Sequence, residues 1–247
     1  MLESNLISAI LVPQGAEYQA VCRALSRVST PTPPVFPIPM GPKPLTQYLE
    51  KLLNTSPVFR RQSGVLLMGL CGSLTSSLSV GDVVLYQSCM ERLDRATDEI
   101  NLPSIASTLP LPKNCDRSLT TQIHHQLLPH NPAFVNGLTS DRFVDSAAQK
   151  RLLGEIYQAD VIDMEGFAAL EILNSDLATA MVRVIGDDCD QDLPSLASSL
   201  SSDGSLQPLP LAISFIRQPI AAKRLIQGSL RGLRVLQEVT ATLFANG

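Results

Sequence analysis

Acidic residues follow three of the apolar runs in this chain. Glu17 follows the first run, 6–12, and Glu165 and Asp187 come at the ends of two later ones. Because ligands of α/β sheets bind outside the carboxyl ends of the strands, we expect these three carboxyl groups around one cleft. Carboxyl groups held in a cleft are suited to proton transfer. The pattern therefore predicts an active site.

A glycine turn interrupts the most apolar part of the sequence. The run Val65–Met68 ends in Gly69-Leu70-Cys71-Gly72-Ser73, and a second apolar run starts after Gly81-Asp82. Closely spaced glycines let backbone amides approach a ligand without a side chain in the way. An ordinary strand–loop–strand connection would have the same local pattern, so the turn alone does not decide between the two.

The elements that must position these residues alternate along the chain. Apolar runs predict strands at 6–12, 65–70, 82–86, 133–138, 160–163 and 178–185. Helical spacing predicts helices at 16–25, 45–53, 147–157, 164–173 and 219–243. This alternation indicates an α/β fold with a mixed sheet. No internal repeat or domain boundary is visible, so we expect one domain over residues 1–247.

Three segments show neither the apolar spacing of a helix nor that of a strand. Residues 31–44 contain seven prolines, which favours extended structure and argues against a helix there. Residues 101–118 read as a loop, and residues 195–207 are rich in serine. The stretch 188–218, which includes the serine-rich segment, is a candidate lid before the C-terminal helix.

Composition excludes several classes of function. The net charge is −4, so nucleic acid is not an expected partner. The apolar run 6–12 is too short to span a membrane, and no stable membrane insertion is expected. The five cysteines contain no CxxC pair, and no cysteine lies at zinc spacing from the histidines at 124, 125 and 130. We therefore expect a cytoplasmic protein with reduced thiols and no metal site.

Three motifs resemble those of the purine nucleoside phosphorylase and uridine phosphorylase superfamily. They are Gly69-Leu-Cys-Gly72 with Val80-Gly-Asp-Val83, then Val161-Ile-Asp-Met-Glu165, then Val182-Arg-Val-Ile-Gly-Asp187. Their order and spacing are most similar to the methylthioadenosine/S-adenosylhomocysteine nucleosidase branch. Segments of the C-terminal third, Asp188–Pro194 among them, resemble the hopanoid-associated phosphorylase subgroup, which acts on a purine nucleoside with a large apolar 5′ group.

The resemblance implies a three-layer α/β/α fold and a role for each matching residue. Asp187 would protonate the leaving purine at N7, and Glu165 would accept the ribose hydroxyls, with Met164 against the sugar. Five residues are implied to line the pocket for the purine base: Leu70, Cys71, Gly72, Phe143 and Val144. No cofactor is implied, and the partner would be a small purine nucleoside. Family members assemble as dimers or larger oligomers, so we expect a homodimer or a higher homo-oligomer.

The resemblance leaves the nucleophile open. In hydrolases of this type a glutamate near the end of the first strand activates water, and Glu17 is the matching residue, although its spacing from the strand is unusual. Well-known bacterial phosphorylases hold phosphate with an arginine and a hydroxyl residue where this chain has Leu67 and Leu70. A phosphate dianion facing two leucines would lack charge-assisted hydrogen bonds, which favours water. The likeness to the hopanoid-associated phosphorylases argues the other way, and another arginine, Arg142 for example, could hold phosphate.

Simpler alternatives remain for single residues and for the whole protein. Asp187 could be a turn cap, Glu165 a first-turn helix residue, Glu17 an exposed helix residue and Phe143 a core residue. Arg183 and Asp163 are expected to have structural roles. Phosphorolysis with inorganic phosphate as co-substrate, and a catalytically silent nucleoside-binding protein, are the alternatives to hydrolysis.

Overall fold

The computed structural model describes residues 6–59, 64–93, 109–174, 176–194 and 215–245. Its strands are β1 (Ile7–Pro13), β2 (Val35–Ile38), β3 (Gly64–Ser73), β4 (Val83–Glu91), β5 (Lys113–Asn114), β6 (Ala133–Thr139), β7 (Val161–Asp163) and β8 (Ala178–Asp187). Its α-helices are α1 (Ala16–Leu25), α2 (Pro42–Thr55), α3 (Arg117–Leu127), α4 (Ala147–Tyr157), α5 (Gly166–Leu173) and α6 (Pro219–Phe244). A 3-10 turn, Leu128–His130, follows α3.

The strands form one mixed sheet that closes on itself. Strand β1 pairs in parallel with β2 and β3, and β3 pairs in parallel with β8. Strand β8 runs antiparallel to β4, which pairs in parallel with β6, and β6 pairs in parallel with β7. Because β7 returns to pair antiparallel with β3, the five strands β3, β8, β4, β6 and β7 form a ring. The predicted mixed central sheet is confirmed.

Helices cover both faces of this sheet. The apolar sides of α1, α3 and α6 pack on one face, against residues such as Leu66 and Val182. Helices α2 and α5 pack on the other face, against residues such as Leu67 and Met181. Neighbouring strand residues point to opposite faces, so Leu66 and Leu67 belong to different layers of the core. The three-layer α/β/α fold is therefore confirmed.

Most predicted elements lie where the sequence places them, with one correction, at Pro42, and two omissions, strand β5 within the predicted loop 101–118 and helix α3. Helices α1 and α4 have the predicted bounds. The prediction that residues 31–44 contain no helix was wrong at the end of this stretch, because α2 begins at Pro42. Proline is tolerated in the first helical turn, where its missing N–H has no intrahelical partner. Helix α3 was not predicted, although Asp116 caps it by accepting a hydrogen bond from the Leu119 amide.

Parts of the sequence-based predictions fall outside the described residues. These are the serine-rich segment 195–207, most of the candidate lid 188–218 and residues 101–108 of the predicted loop. The helix predicted over 219–243 is α6. Among the described helices, none combines the length and the apolar character that crossing a bilayer requires.

Candidate functional site

A cavity of about 450 Å³ lies at the carboxyl ends of β1, β3, β7 and β8. Its lining includes every residue that the sequence assigned to the site: Glu17, Leu70, Cys71, Gly72, Phe143, Val144, Met164, Glu165 and Asp187. A second cavity of about 710 Å³, between Ser146 and α6, is lined by none of these residues. The structure therefore brings the predicted site residues together, while their individual roles stay predictions.

Glu17 reaches the cavity from the first turn of α1. Its Oε1 accepts a hydrogen bond of 2.5 Å from the backbone amide of Leu70, in the glycine turn. Gly69 permits this approach, since a Cβ there would lie 3.1 Å from Oε1 of Glu17. Burial raises the pKa of Glu17 from 4.5 to about 7, although the Arg183 guanidinium and the Leu70 hydrogen bond act in the opposite direction. Glu17 is thus suited to accept a proton near neutral pH.

Glu165 lies opposite, at the N-cap of α5, and pairs with a buried arginine. Nη2 of Arg183 donates to Oε2 of Glu165 and to Oδ2 of Asp163, both at 3.2 Å. Burial raises the pKa of Glu165 to about 7, with Arg183 lowering it and the carboxylates of Asp163 and Glu17 raising it. Glu165 and Glu17 therefore titrate as interacting groups in the same pH range.

Asp163 holds the segment before α5 in place. Its Oδ1 accepts hydrogen bonds from Thr139 Oγ1 at 2.7 Å and from the backbone amides of Glu165 and Gly166. With Oδ2 bound to Arg183, the carboxyl group is fully engaged. These contacts agree with the structural role expected for Asp163 and Arg183.

Arg183 also has donors directed at the glycine turn. The side chain is completely buried, and within the described parts of the chain Nε and Nη1 have no hydrogen-bond partner. A Cβ on Gly69 would lie 2.4 Å from Nη1, so this nitrogen and Glu17 Oε1 flank the same point of the turn. Buried donors normally find a partner, so Nη1 is an unsatisfied donor near Glu17, although Arg183 does not itself line the cavity.

Asp187, at the end of β8, forms an ion pair that the sequence did not predict. Nζ of Lys150 donates to Oδ1 of Asp187 and to the backbone carbonyl of Asp188, the latter at 2.9 Å. Burial raises the pKa of Asp187, and the Lys150 ammonium opposes this. A sequence signal existed, because Lys150 occupies the apolar side of α4 with Ala147, Leu153 and Tyr157.

The remaining walls of the cavity are largely apolar. Phe143 and Val144 form part of these walls. Burial raises the pKa of the Cys71 thiol well above its usual range, so this thiol is neutral and adds to the apolar lining. Helix α6 supplies an apolar wall made of Leu225, Ile226, Leu230 and Leu233. The sequence analysis did not assign this wall, Met40 or Phe215 to the site, because their spacing indicated only a core-facing helix or a loop.

The histidines lie outside this cavity. His124 stacks on Phe134 with a ring-centroid distance of 4.5 Å, and His130 contacts Thr242 Oγ1 at 2.8 Å. Across the described ranges, no three His, Cys, Asp or Glu side chains are grouped to hold a metal ion.

Solved structures of nucleosidases share this fold. A 5′-methylthioadenosine/S-adenosylhomocysteine nucleosidase from Helicobacter pylori superposes with a TM-score of 0.63 at 16% identity, over 94% of this chain and 96% of that one. The Campylobacter jejuni nucleosidase of the same name gives 0.63 at 13% identity, over 96% and 99%. Futalosine hydrolase from Helicobacter pylori gives 0.62 at 16% identity, over 94% and 95%. At sequence identities of 13% to 16%, the similarity shows only that the fold is shared.

Family assignment comes from the sequence itself. No match was found among curated protein sequences. The phosphorylase superfamily model matches residues 50–201, which is more than half of the chain and includes the glycine turn, Glu165 and Asp187. The chain therefore belongs to the phosphorylase superfamily.

Proposed function

We propose that this protein hydrolyses the N-glycosidic bond of a 5′-substituted adenosine and releases free adenine. The observation that carries the proposal is the meeting of Glu17, Glu165 and Asp187 in one cavity, each with a raised pKa. Groups with such shifts are typical of acid–base catalysis. A protein that only binds nucleosides would gain little from one buried and two partly buried carboxyl groups in its cavity.

In this mechanism Asp187 is the general acid. As the C1′–N9 bond breaks, its electron pair stays on the purine, and the proton of Asp187 is transferred to N7. Burial raises the pKa of Asp187, which favours the protonated form that a general acid requires. Phe143 and Val144 would hold the base in this orientation, with Phe143 against the ring.

Glu17 is the general base that activates water. The water oxygen bonds to C1′ while its proton passes to Glu17, so a free sugar with a 1′-hydroxyl is formed. The Arg183 guanidinium, buried behind the glycine turn, would stabilise the carboxylate form of Glu17 that accepts the proton. Glu165 would accept hydrogen bonds from the ribose hydroxyls, with Met164 against the sugar ring.

Water fits this site better than phosphate. The amide of Leu70, in the glycine turn, already donates to a carboxylate, and Glu165 lies across the cavity. Lys150, which lines the cavity, is engaged with Asp187, and Arg183, which lies behind the lining, is engaged with Glu165. Among the described lining residues, Arg142 is the other cation. A phosphate dianion would therefore meet carboxylates instead of a cationic cradle.

The apolar wall of α6 supports an apolar 5′ substituent. Ile226 and Leu230 line the cavity and are also 44% and 59% exposed, so the wall extends towards solvent. A long apolar 5′ group would remove this surface from water. Adenosine with a large apolar group, of the kind implied by the hopanoid-associated subgroup, is therefore a second candidate substrate beside methylthioadenosine.

The test is release of the base from methylthioadenosine and from adenosines with longer 5′-alkylthio groups, with and without inorganic phosphate. We expect release without phosphate, a free reducing sugar as the second product, and higher kcat/KM for the longer apolar groups. Asp187→Asn should lower kcat by about 100- to 10,000-fold. Asp190→Asn, an exposed neighbour, is the matched control and should retain activity.

Three outcomes would contradict the proposal. Formation of a sugar 1-phosphate, with a rate that depends on phosphate, would replace hydrolysis by phosphorolysis. Unchanged turnover in Asp187→Asn would remove the assigned acid. Binding of nucleosides without release of base from any of them would indicate a silent binding protein.

A further inference from the structure

Lys150 is a buried cation that no step above requires. Its side chain is 1% exposed, on the side of α4 that packs on the core. Burying an ammonium group costs several kcal/mol unless it is paired and hydrogen-bonded. The sequence could have met the packing requirement at this position with an apolar residue, as it does at Leu153. A charge at this position therefore requires an explanation.

The contacts of Lys150 hold one oxygen of Asp187. Nζ binds Oδ1 of Asp187 and the carbonyl of Asp188. Gly72 lies against the same oxygen, since a Cβ there would come within 2.7 Å of Oδ1. No hydrogen bond to Oδ2 is found within the described ranges, and Asp187 lines the cavity. The ion pair thus leaves Oδ2 for a ligand.

The charge of Lys150 matters most at the moment when Asp187 loses its proton. In the step proposed above, the O–H bond of Asp187 breaks, the N7–H bond forms, and a buried carboxylate is left behind. An adjacent ammonium stabilises that carboxylate as it develops, in a site where charges are weakly screened. Among the described residues, Asp188, beside it on the chain, and Cys71 on β3 also interact with the charge of Asp187, and neither carries a positive charge. Arg142 lines the same cavity.

We propose that Lys150 is a positioning residue for the leaving-group acid: it directs Oδ2 of Asp187 to the base and stabilises the carboxylate that proton transfer creates. The inference rests on the proposed function. It predicts that Lys150 acts on the rate through Asp187 and has no separate effect on substrate binding.

The test is a double-mutant cycle with Lys150→Met and Asp187→Asn, read by kcat, KM and the pH dependence of kcat/KM. Lys150→Met should lower kcat by about 10- to 100-fold with little change in KM. The ionisation of Asp187 in the pH profile should move to higher pH, because burial then acts without the opposing cation. Lys150→Arg, which keeps the charge, should restore the pH profile of the wild type.

The double variant provides the decisive comparison. If Lys150 acts through Asp187, the double variant should be no slower than Asp187→Asn alone. A further loss in the double variant, or an unchanged pH profile in Lys150→Met, would overturn the inference. Since the double variant contains no unpaired charge from this pair, it remains usable if Lys150→Met does not fold.

Failure of the inference is distinguishable from failure of the proposed function. If the wild-type protein releases no base, the function is wrong. If the wild type is active and the two mutations have additive effects, only the role of Lys150 is wrong.

Discussion

Replacing Glu17 by glutamine should remove activity and stabilise the protein at alkaline pH. Glutamine has the shape of the protonated glutamate and keeps an oxygen that accepts the hydrogen bond from Leu70. What it removes is the ionised form, which burial disfavours. The general base is thus a residue at which function and stability have opposite requirements.

The size of the stability difference between the wild type and Glu17→Gln follows from the pKa of Glu17. Its folded-state pKa of about 7 lies above the unfolded value of 4.5, so the folded protein binds more protons between these values. The stability of the wild type is therefore full below pH 4.5 and falls as the pH rises through 7. A pKa difference of this size corresponds to about 3 kcal/mol at pH 8. Glu17 is only partly buried, and solvent screening reduces this to about 2 kcal/mol.

The assay is chemical denaturation of the wild type and Glu17→Gln at pH 5.5 and pH 8, with Glu50→Gln on the exposed side of α2 as control. The advantage of Glu17→Gln should be about 2 kcal/mol at pH 8 and should shrink towards pH 5.5. The activity of the variant should fall by about 100- to 10,000-fold. A variant that is less stable than the wild type at pH 8, or whose advantage does not depend on pH, would refute the reasoning.

Three further predictions concern the same cavity. Gly69→Ala would place a Cβ 2.4 Å from Nη1 of Arg183, so we expect a loss of about 1–3 kcal/mol in unfolding free energy together with lower kcat, measured by denaturation and base release. Glu165→Gln should lower kcat/KM for ribosides by about 100-fold and much less for the matching 2′,3′-dideoxyribosides; equal losses would argue against contact with the hydroxyls. Phe143→Leu should raise KM by about tenfold with little change in kcat, and an unaltered KM would indicate a residue that only packs in the core.

The sequence was most informative where a local pattern determines the local structure. Apolar spacing was enough to set the bounds of α1 and α4, and the acidic strand ends predicted the cleft that Glu17, Glu165 and Asp187 line. Phe143, Val144 and Met164 were assigned only through the family resemblance. The prediction was weaker where two local patterns conflict, as at Pro42. The prolines of 31–44 indicate extended structure, whereas proline is also accepted at the start of a helix, and α2 begins there. Helix α3 was missed although Leu119, Ile123 and Leu127 recur at helical spacing.

Amino-acid order by itself thus determined the fold class, the family motifs and the residues at the strand ends, because these depend on periodicity and on close neighbours in the chain. Only the tertiary structure decided which groups pair. Glu17 meets the Leu70 amide across 53 positions, Lys150 meets Asp187 across 37, and Arg183 meets Glu165 across 18. The pKa of each acid depends on burial and on charges that reach it from other elements, so no local pattern contains it.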